Sequence, residues 1–388
     1  MANILIGVCG GIASYKICEL IRELKREGHR VRVVMTPFAE KFVSPITFHT
    51  LSGEKVYTER SWEEEPLAHI NLARWADVFL IAPATANTIS KIANGISDNL
   101  LTTTALAYGG KLLVAPAMNT VMYKSEPVME NLERLKERGH VIIEPEFGIL
   151  ACEEVGEGKL ASVERLKDWI YYALDDKSLK GKKVLITCGA TREYIDPIRF
   201  ISNESSGEMG FSLARICRWK GAEVKLIAGF TTAKEPPEVS IERVRTTEEM
   251  REKVLKDFGD ADIVIMNAAV SDFRPKEFKK NKIKKSESLT LELVKNPDIL
   301  KELGEKKSKQ ILVGFALETE NIIDYAKKKL IEKNLDIIVA NPSEVMGKKH
   351  HKGYVITRHE IREFSFPSKL ESARFIVEYI SKFLKGGI

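Results

Sequence analysis

The segment NILIGVCGGIASYK, residues 3–16, decides the fold of the first half of the chain. Residues 3–8 are almost all apolar, which is typical of a strand buried on both faces of a parallel sheet. Gly10 and Gly11 end this strand, and residues 13–27 then have the spacing of an amphipathic helix. A strand, a glycine turn and a helix in this order predict the opening of an α/β domain.

The same alternation continues along all 388 residues, which is more than one hydrophobic core usually serves. A polar stretch, DDKSLKGKK, interrupts it before a fresh strand, KVLITC. The pattern predicts two doubly wound, mainly parallel-sheet α/β domains in series, ending in a hairpin and a helix. We place the first domain at residues 1–175, a linker at 176–182 and the second domain at 183–388.

Composition excludes several classes of protein. No stretch approaches the roughly 20 apolar residues of a membrane span, and the start of the chain lacks the basic segment of a signal peptide. Five widely spaced cysteines without a C-x-x-C pair indicate neither a disulfide framework nor a zinc site, so we expect a cytoplasmic protein. The net charge of +5 comes with a local excess of lysine between Lys276 and Lys309, which favours a small anionic substrate over nucleic acid.

The turn at Gly10 and Gly11 allows backbone N–H groups to approach a phosphate at the start of the next helix. Its spacing is not G-x-G-x-x-G, and the second strand ends at Met35 and Thr36 rather than at the acidic residue that would hold an adenosine ribose. The pattern therefore favours a mononucleotide such as FMN over a dinucleotide. A glycine turn of this kind can also be purely structural.

Two similar polar loops follow strands of the first half, APATAN at residues 82–87 and APAMN at 115–119. Carboxyl ends of parallel strands meet at one edge of a sheet, so we expect both loops at one ligand site, although each could simply end its strand. His69 lies in a helix-like stretch without a clear apolar face, and a lone histidine is usually structural. Cys152 lies among glycines and carboxylates outside any regular element, which makes it the cysteine expected to react.

The second half contains a further set of polar motifs after its strands. Ser205, Ser206 and Gly207 precede a helix and could bind phosphate there or only cap it. The lysine-rich NKIKK segment (281–285), lying between NAAVSDF and KNPD, suits the phosphates of a nucleotide, whereas most lysine runs only form a solvated face. The chain lacks G-x-x-x-x-G-K-[ST], which excludes an ordinary P-loop.

The motifs of the first half, GGIASYK, HINLARWAD, APATAN, PAMN and ACEEVGEGKL, resemble those of the flavin-containing cysteine decarboxylases, specifically the phosphopantothenoylcysteine decarboxylases. The resemblance implies a flavodoxin-like domain in which Asn119 binds the substrate carboxylate and His69 assists decarboxylation as an acid or base. It also implies that Cys152, on a mobile flap, protonates the enethiolate formed by loss of CO2. FMN would be bound by residues of three loops: Gly10, Gly11, Ser14, Thr36, Thr85, Ala86 and Asn87.

The second half resembles phosphopantothenate-cysteine ligase in GATREYIDPIRFISNESSGEMG, NAAVSDF, KIKK, KNPD and GFALET. The resemblance implies a Rossmann-like domain that uses CTP and Mg²⁺ to join L-cysteine to 4'-phosphopantothenate through an acyl-cytidylate. Asn203 would orient the carboxyl group of the acid, and Lys282 would act in catalysis. CTP would contact Asp272, Lys282, Lys295, Asn296, Pro297, Asp298, Phe315, Lys329 and Lys333.

Glu208 departs from the lysine that many relatives carry in this SSG-x-MG motif, which leaves a phosphate contact at that position in doubt. Some ligases that resemble this domain use ATP, so the choice of CTP rests on the resemblance to the fused form. The motifs do not indicate which residues would bind the Mg²⁺ ion. The same resemblance implies a homo-oligomer built from trimers, a dodecamer, with paired ligase domains.

Two other functions are alternatives for this sequence. A regulatory flavoprotein acting through partner proteins would be expected to lose His69, Asn119 or Cys152, and all three are present. An NAD-dependent dehydrogenase is disfavoured by the glycine spacing.

Overall fold

The computed structural model describes residues 1–284, 288–343 and 350–386. The chain divides into two compact units, Met1–Asp175 and Asp176–Ile388. Each unit contains one large sheet with helices, and most strand pairs in both sheets are parallel. The predicted fold class of two mainly parallel α/β domains is therefore confirmed. Over the described residues, no helix has the length and apolar character needed to cross a membrane.

The first unit is built on a six-stranded sheet in the order β3-β2-β1-β4-β5-β6, in which all pairs are parallel. Alternate residues of β1 face opposite sides: Ile4 and Ile6 join one buried cluster, and Leu5 joins the other. Both faces are thus covered, as the apolar run predicted. The strands are β1 (Asn3–Val8), β2 (Arg30–Met35), β3 (Val56–Tyr57), β4 (Val78–Ala84), β5 (Leu112–Pro116) and β6 (Val141–Ile142).

Nine α-helices occur in the first unit, all of whose residues are described: α1 (Lys16–Arg26), α2 (Pro45–Ser52), α3 (Glu59–Glu64), α4 (Ala68–Trp75), α5 (Ala86–Ala93), α6 (Leu100–Ala107), α7 (Thr120–Lys124), α8 (Glu126–Glu137) and α9 (Val163–Leu174). The predicted first helix begins as a short 3-10 turn at Ile12–Tyr15 before α1. A separate antiparallel hairpin, β7 (Glu146–Ile149) and β8 (Val155–Lys159), carries the sequence around Cys152.

The second unit has an eight-stranded sheet in the order β13-β12-β9-β14-β17-β18-β19-β20. Pairs from β13 to β18 are parallel, and β19 and β20 form the predicted C-terminal hairpin at one edge. The strands of this sheet are β9 (Lys183–Cys188), β12 (Glu223–Ala228), β13 (Ser240–Arg243), β14 (Ile263–Met266), β17 (Ile311–Glu318), β18 (Ile337–Pro342), β19 (His351–Ile356) and β20 (Ile361–Phe366).

Two small antiparallel pairs accompany this sheet: β10 (Arg192–Tyr194) with β11 (Phe200–Ser202), and β15 (Phe273–Pro275) with β16 (Leu293–Lys295). These strands were not predicted, because three residues are too few to show an alternating pattern. The described helices are α10 (Glu208–Trp219), α11 (Thr247–Phe258), α12 (Ile299–Lys306), α13 (Ile322–Glu332) and α14 (Lys369–Leu384).

Candidate functional sites of the two units

A cavity of about 510 Å³ lies in the first unit, where the glycine turn, the PAMN loop and the β7–β8 hairpin meet. This volume is in the usual range for small-molecule sites. Its lining is mainly apolar with a few polar groups: Gly11, Ile12, Ala13, Tyr15, Lys16, Pro83, Ala117, Met118, Asn119, Ile149, Leu150, Ala151, Cys152, Gly158, Lys159 and Leu160. The two loops that were expected at one edge of the sheet both reach this cavity, through Pro83 and Asn119.

The glycine turn lies at the carboxyl end of β1. Gly10 is pressed against Phe38, since a Cβ atom at this position would come within 2.5 Å of the phenylalanine ring. Gly11 faces open space and lines the cavity. The hydroxyl of Ser14 is buried and donates to the carbonyl oxygen of Gly11 at 2.8 Å, which fixes the turn. Backbone and small side chains therefore leave room for a ligand at Gly11.

The other residues predicted to bind the cofactor occupy the ends of β2 and β4. Thr36 is largely buried and directly follows β2. Thr85 caps helix α5 and accepts a hydrogen bond from the Thr88 backbone N–H at 3.4 Å. Ala86 and Asn87 form the first turn of α5, with Asn87 exposed. None of these four is part of the cavity lining, so their predicted contacts with FMN stay predictions.

The structure brings Asn119 and Cys152 together although 33 residues separate them. The side-chain nitrogen Nδ2 of Asn119 lies 3.6 Å from the sulfur of Cys152. The Asn119 side-chain oxygen accepts from the Val121 N–H at 2.8 Å, which turns the amide nitrogen toward the hairpin. Glu154, which the sequence did not single out, contacts both residues: its Oε2 is 2.7 Å from Nδ2 of Asn119 and 3.6 Å from the Cys152 sulfur.

Close packing of two glycines holds the hairpin on the PAMN loop. A Cβ atom at Gly156 would lie 2.3 Å from the hydroxyl of Thr120, and one at Gly158 would lie 2.1 Å from the carbonyl oxygen of Met118. Gly158 also has a φ of 135°, which side chains disfavour, and its carbonyl accepts from the Met118 N–H at 3.0 Å. The G-x-G spacing after Cys152 is therefore what allows the cysteine to lie beside Asn119.

His69 lies elsewhere in the first unit. It is the second residue of α4, and its ring meets the Trp62 ring edge-on at a centroid distance of 5.7 Å. Its Nδ1 atom is buried without a hydrogen-bond partner among the described residues, and His69 does not line the cavity. A buried nitrogen without a partner costs free energy, and a catalytic role is one of the reasons for which proteins keep such a group.

Two lysines that sequence reasoning missed line the cavity, Lys16 and Lys159. Burial, and then the charge of Lys159, lower the pKa of Lys16, while Glu146 opposes the shift. Two ammonium groups beside apolar walls suit a ligand that has both an anionic group and an apolar part, and a phosphorylated flavin meets this description. Lys16 could have been noticed, because it begins α1 only five residues after Gly11, directly behind the short 3-10 turn.

In the second unit, Asn203 is exposed, and its Nδ2 atom donates to the carbonyl oxygen of Val270 at 3.0 Å. This bond links the ISNESSG segment to the loop after β14. Glu208 begins α10 and pairs with Lys369, whose Nζ lies 2.9 Å from its carboxylate. A lysine is therefore present near the start of this helix, although it comes from α14.

Asp196, another residue that the sequence did not single out, anchors the segment that carries Lys282. Its side chain is fully buried and accepts hydrogen bonds from the backbone N–H groups of Ile198, Arg199 and Ile283 at 2.8–3.1 Å. Burial raises the pKa of Asp196, but these donors and the Arg199 charge outweigh it and hold the pKa below its ordinary value. Lys282 itself is exposed, and Lys285 lies outside the described residues.

A buried polar network supports the KNPD segment. Nδ2 of Asn296 donates to the carbonyl of Ser271 at 2.8 Å and to the Thr247 hydroxyl at 3.3 Å. The carboxylate of Glu193 accepts from both the N–H and the hydroxyl of Thr247, at 2.9 and 2.7 Å. The carbonyl of the exposed Asp272 accepts from the Asn296 N–H at 2.8 Å. Asn296 is thus bound within the protein rather than directed to solvent.

Among the remaining residues predicted to contact CTP, two lysines pair with carboxylates and a third lysine ends a strand. Lys333 pairs with Asp298 at 2.9 Å, and Lys329 pairs with Glu318 at 2.6 Å. Asp298 also caps α12 through the Lys301 N–H. Of the other three residues, Phe315 is half-buried on β17, Lys295 ends β16, and Pro297 lies two residues after that strand end. Within the described residues, no cluster of three or more His, Cys, Asp or Glu side chains is arranged to hold a metal.

Comparison with known proteins explains why two such sites occur in one chain. The family described as Flavoprotein matches residues 1–174, and the DNA/pantothenate metabolism flavoprotein C-terminal domain matches residues 179–384. The coenzyme A biosynthesis bifunctional protein CoaBC of Bacillus subtilis (strain 168) is 47% identical over 352 residues, covering 89% of this chain and 87% of the relative. The chain belongs to the CoaBC family of bifunctional coenzyme A biosynthesis proteins.

The CoaBC protein of Borreliella burgdorferi is 42% identical over 385 residues, covering 97% of this chain and 98% of that protein. The solved C-terminal domain of a CoaBC protein is 40% identical and covers 54% of this chain and all of that chain, with a TM-score of 0.49. Membership of the CoaBC family makes the chain a bifunctional enzyme of coenzyme A biosynthesis, with a ligase step and a decarboxylase step. The Flavoprotein match also supports a flavin in the first unit, in agreement with the FMN that its motifs imply.

Proposed function

We propose that the first unit decarboxylates 4'-phosphopantothenoylcysteine with FMN, and that the second unit makes this compound from 4'-phosphopantothenate, L-cysteine and CTP. The contact between Asn119 and Cys152 at the cavity of the first unit supports this proposal most strongly, since an amide donor for the carboxylate and a thiol proton donor are two groups that the reaction requires of the protein.

In the first unit, FMN supplies reversible hydride transfer when it is bound. The cavity residues supply binding and protons. Asn119 donates from Nδ2 to the substrate carboxylate, Lys16 and Lys159 attract the phosphate groups, and Cys152 gives its proton to the enethiolate left after CO2 has departed.

His69 assists decarboxylation as an acid or base in this proposal. Because it does not line the cavity of its own unit, its role requires a site completed by a neighbouring copy of the chain. This requirement agrees with the homo-oligomer that the family resemblance implies, trimers of the first unit and dimers of the second, assembled into a dodecamer. We propose that this assembly acts in the cytoplasm.

In the second unit, the carboxylate of 4'-phosphopantothenate attacks the α-phosphorus of CTP, releasing pyrophosphate and forming an acyl-cytidylate. The cysteine amine then displaces CMP to give the amide. Asn203 orients the carboxylate, while Lys282, Lys329 and Lys333 stabilise charge on the phosphates together with Mg²⁺. Lys329 and Lys333 already lie against carboxylates, so the nucleotide must compete with Glu318 and Asp298 for them.

The complete reaction tests the proposal. Purified full-length chain is incubated with FMN, Mg²⁺, 4'-phosphopantothenate, L-cysteine and either CTP or ATP, and the products are followed by mass spectrometry. We expect 4'-phosphopantetheine and CMP with CTP, and much less product with ATP. Accumulation of 4'-phosphopantothenoylcysteine would contradict the decarboxylase assignment, and absence of any amide would contradict the ligase assignment. Equal rates with ATP would contradict CTP as the nucleotide.

A further inference from the structure

The carboxylate of Glu154 occupies the point at which the two cavity residues Asn119 and Cys152 meet. One of its oxygens, Oε2, lies 2.7 Å from the amide nitrogen of Asn119 and 3.6 Å from the sulfur of Cys152. The amide is oriented by the bond from the Val121 N–H to its oxygen, so its nitrogen is directed at Glu154 and not free to rotate away. A single carboxylate oxygen thus engages both groups that are proposed to act on the substrate.

A carboxylate held by the Asn119 amide is also what the proposed function requires of the substrate. An amide NH2 group has only two hydrogens, and two carboxylates held at one donor would repel each other. We propose that Glu154 stands in for the substrate carboxylate: it fills the position at Asn119 in the free enzyme, is displaced when substrate binds, and returns when CO2 has left. This inference rests on the proposed decarboxylation and assigns a positioning residue to it.

The hairpin is built to allow this exchange. Its β8 side is fixed, because Gly156 and Gly158 are pressed against Thr120 and Met118. The connecting residues between β7 and β8 include Cys152, and both Cys152 and Glu154 are exposed to solvent. A charge-assisted bond at an exposed position contributes little net free energy, so an incoming carboxylate can replace it.

This exchange of carboxylates makes proton transfer from Cys152 follow the loss of CO2. While the substrate carboxylate occupies Asn119, Glu154 is excluded from that position and cannot hold the cysteine there. After CO2 leaves, the amide has no anionic partner, and the return of Glu154 brings Cys152 back beside Asn119. To become the thiolate product, the enethiolate needs one proton, from Cys152, and one hydride, which reduced flavin formed in the earlier oxidation of the cysteinyl thiol would supply. The proton donor therefore arrives only when the carboxylate is gone.

The test uses full-length, FMN-loaded chain with 4'-phosphopantothenoylcysteine supplied directly, which removes any dependence on the ligase. Glu154→Ala and Glu154→Gln are compared with wild type and with Glu157→Ala, a change on the same hairpin that removes only the pair with Lys124. Two quantities are measured: the KM for CO2 release, and the fraction of decarboxylated product released as the enethiol rather than as 4'-phosphopantetheine, which is two hydrogens heavier. Flavin absorbance reports that each variant is folded and loaded.

For Glu154→Ala we expect KM to fall about threefold, because the Glu154 carboxylate no longer competes with the substrate for Asn119. We also expect the enethiol fraction to rise about threefold, because the contact of Glu154 with Asn119 no longer returns Cys152 to its place beside Asn119. Glu154→Gln, which keeps an acceptor without charge, should lie between, and Glu157→Ala should match wild type. An unchanged KM overturns the inference, and so does an unchanged enethiol fraction. If wild type itself releases no CO2, the proposed function fails and the inference fails with it.

Discussion

The two units place their candidate residues in contrasting ways. In the first unit, Asn119 and Cys152 meet directly at a cavity and are exposed or half-buried. In the second unit, Asn296 is part of a buried hydrogen-bond network, and Lys333 and Lys329 pair with carboxylates. The first site is held by close backbone packing of glycines, whereas the second is held by buried polar groups. Changes in the first should therefore alter chemistry selectively, and changes in the second should alter stability and nucleotide affinity.

The largest effect is expected for Cys152→Ser. A serine hydroxyl is a far weaker proton donor than a thiol, so formation of 4'-phosphopantetheine should fall about a thousandfold, the range typical of a lost general acid. CO2 release and CMP formation should continue, and the oxidised enethiol should accumulate in the mass spectrum. Cys18→Ser, at a partly buried cysteine in α1, is the matched control. Normal yield of 4'-phosphopantetheine from Cys152→Ser would contradict its role.

Stability of the second unit should depend on the protonation of His351. Burial, followed by the charges of Lys369 and His350, lowers the pKa of His351 to about 4, from about 6.5 in the unfolded chain. The unfolded state then binds more protons between these values, so stability is lost as pH falls from about 6.5 to about 4, by up to about 3 kcal/mol. His351→Gln should flatten this dependence, as measured by hydrogen exchange of second-unit peptides across this pH range.

The exposed His359 provides the control for that measurement, since His359→Gln should leave the pH dependence as in wild type. An equally steep loss of stability in His351→Gln would show that other groups cause it.

Asp196→Asn should destabilise the second unit by about 2 kcal/mol at pH 7, because an amide cannot accept all three backbone bonds that the carboxylate accepts. These bonds lower the pKa of Asp196, so its contribution is complete above the ordinary carboxyl pKa and is lost as pH falls through the lower folded value. The difference between variant and wild type should therefore shrink in strong acid. Denaturant unfolding at pH 7 and pH 3 measures it, with the exposed Asp260→Asn as control.

The smallest effect is expected for Glu318→Gln. Removing this charge frees Lys329 from its 2.6 Å pair, so the KM for CTP should fall about two- to threefold while kcat for ligation stays the same. Glu332→Gln, which removes only an exposed pair with Lys328, is the matched control. A raised KM would mean that Glu318 positions the lysine for the nucleotide rather than competing with it.

Much of the fold could be predicted from sequence, because continuous apolar runs such as those of β1 and β4 are typical of buried parallel strands. The shared location of the APATAN and APAMN loops could also be expected, because each follows an apolar strand, and Pro83 and Asn119 line one cavity. The contact between Asn119 and Cys152 was not predicted, because it depends on how the β7–β8 hairpin packs on the PAMN loop. Glu193 could not be identified, because its partner, Thr247, lies 54 residues away and the pairing leaves no local pattern. Glu154 was missed for a related reason: among neighbouring carboxylates, only the three-dimensional contact with Asn119 distinguishes it.

The most direct test of a chain with two separable sites is a crossed comparison of Cys152→Ser and Lys282→Gln in the full-length protein. Each variant is given the complete ligase mixture and, separately, 4'-phosphopantothenoylcysteine, and products are quantified by mass spectrometry. The account predicts that Cys152→Ser ligates normally but yields enethiol, while Lys282→Gln fails to ligate but converts supplied 4'-phosphopantothenoylcysteine to 4'-phosphopantetheine at the wild-type rate. Loss of both activities in either folded variant would contradict the assignment of one reaction to each unit.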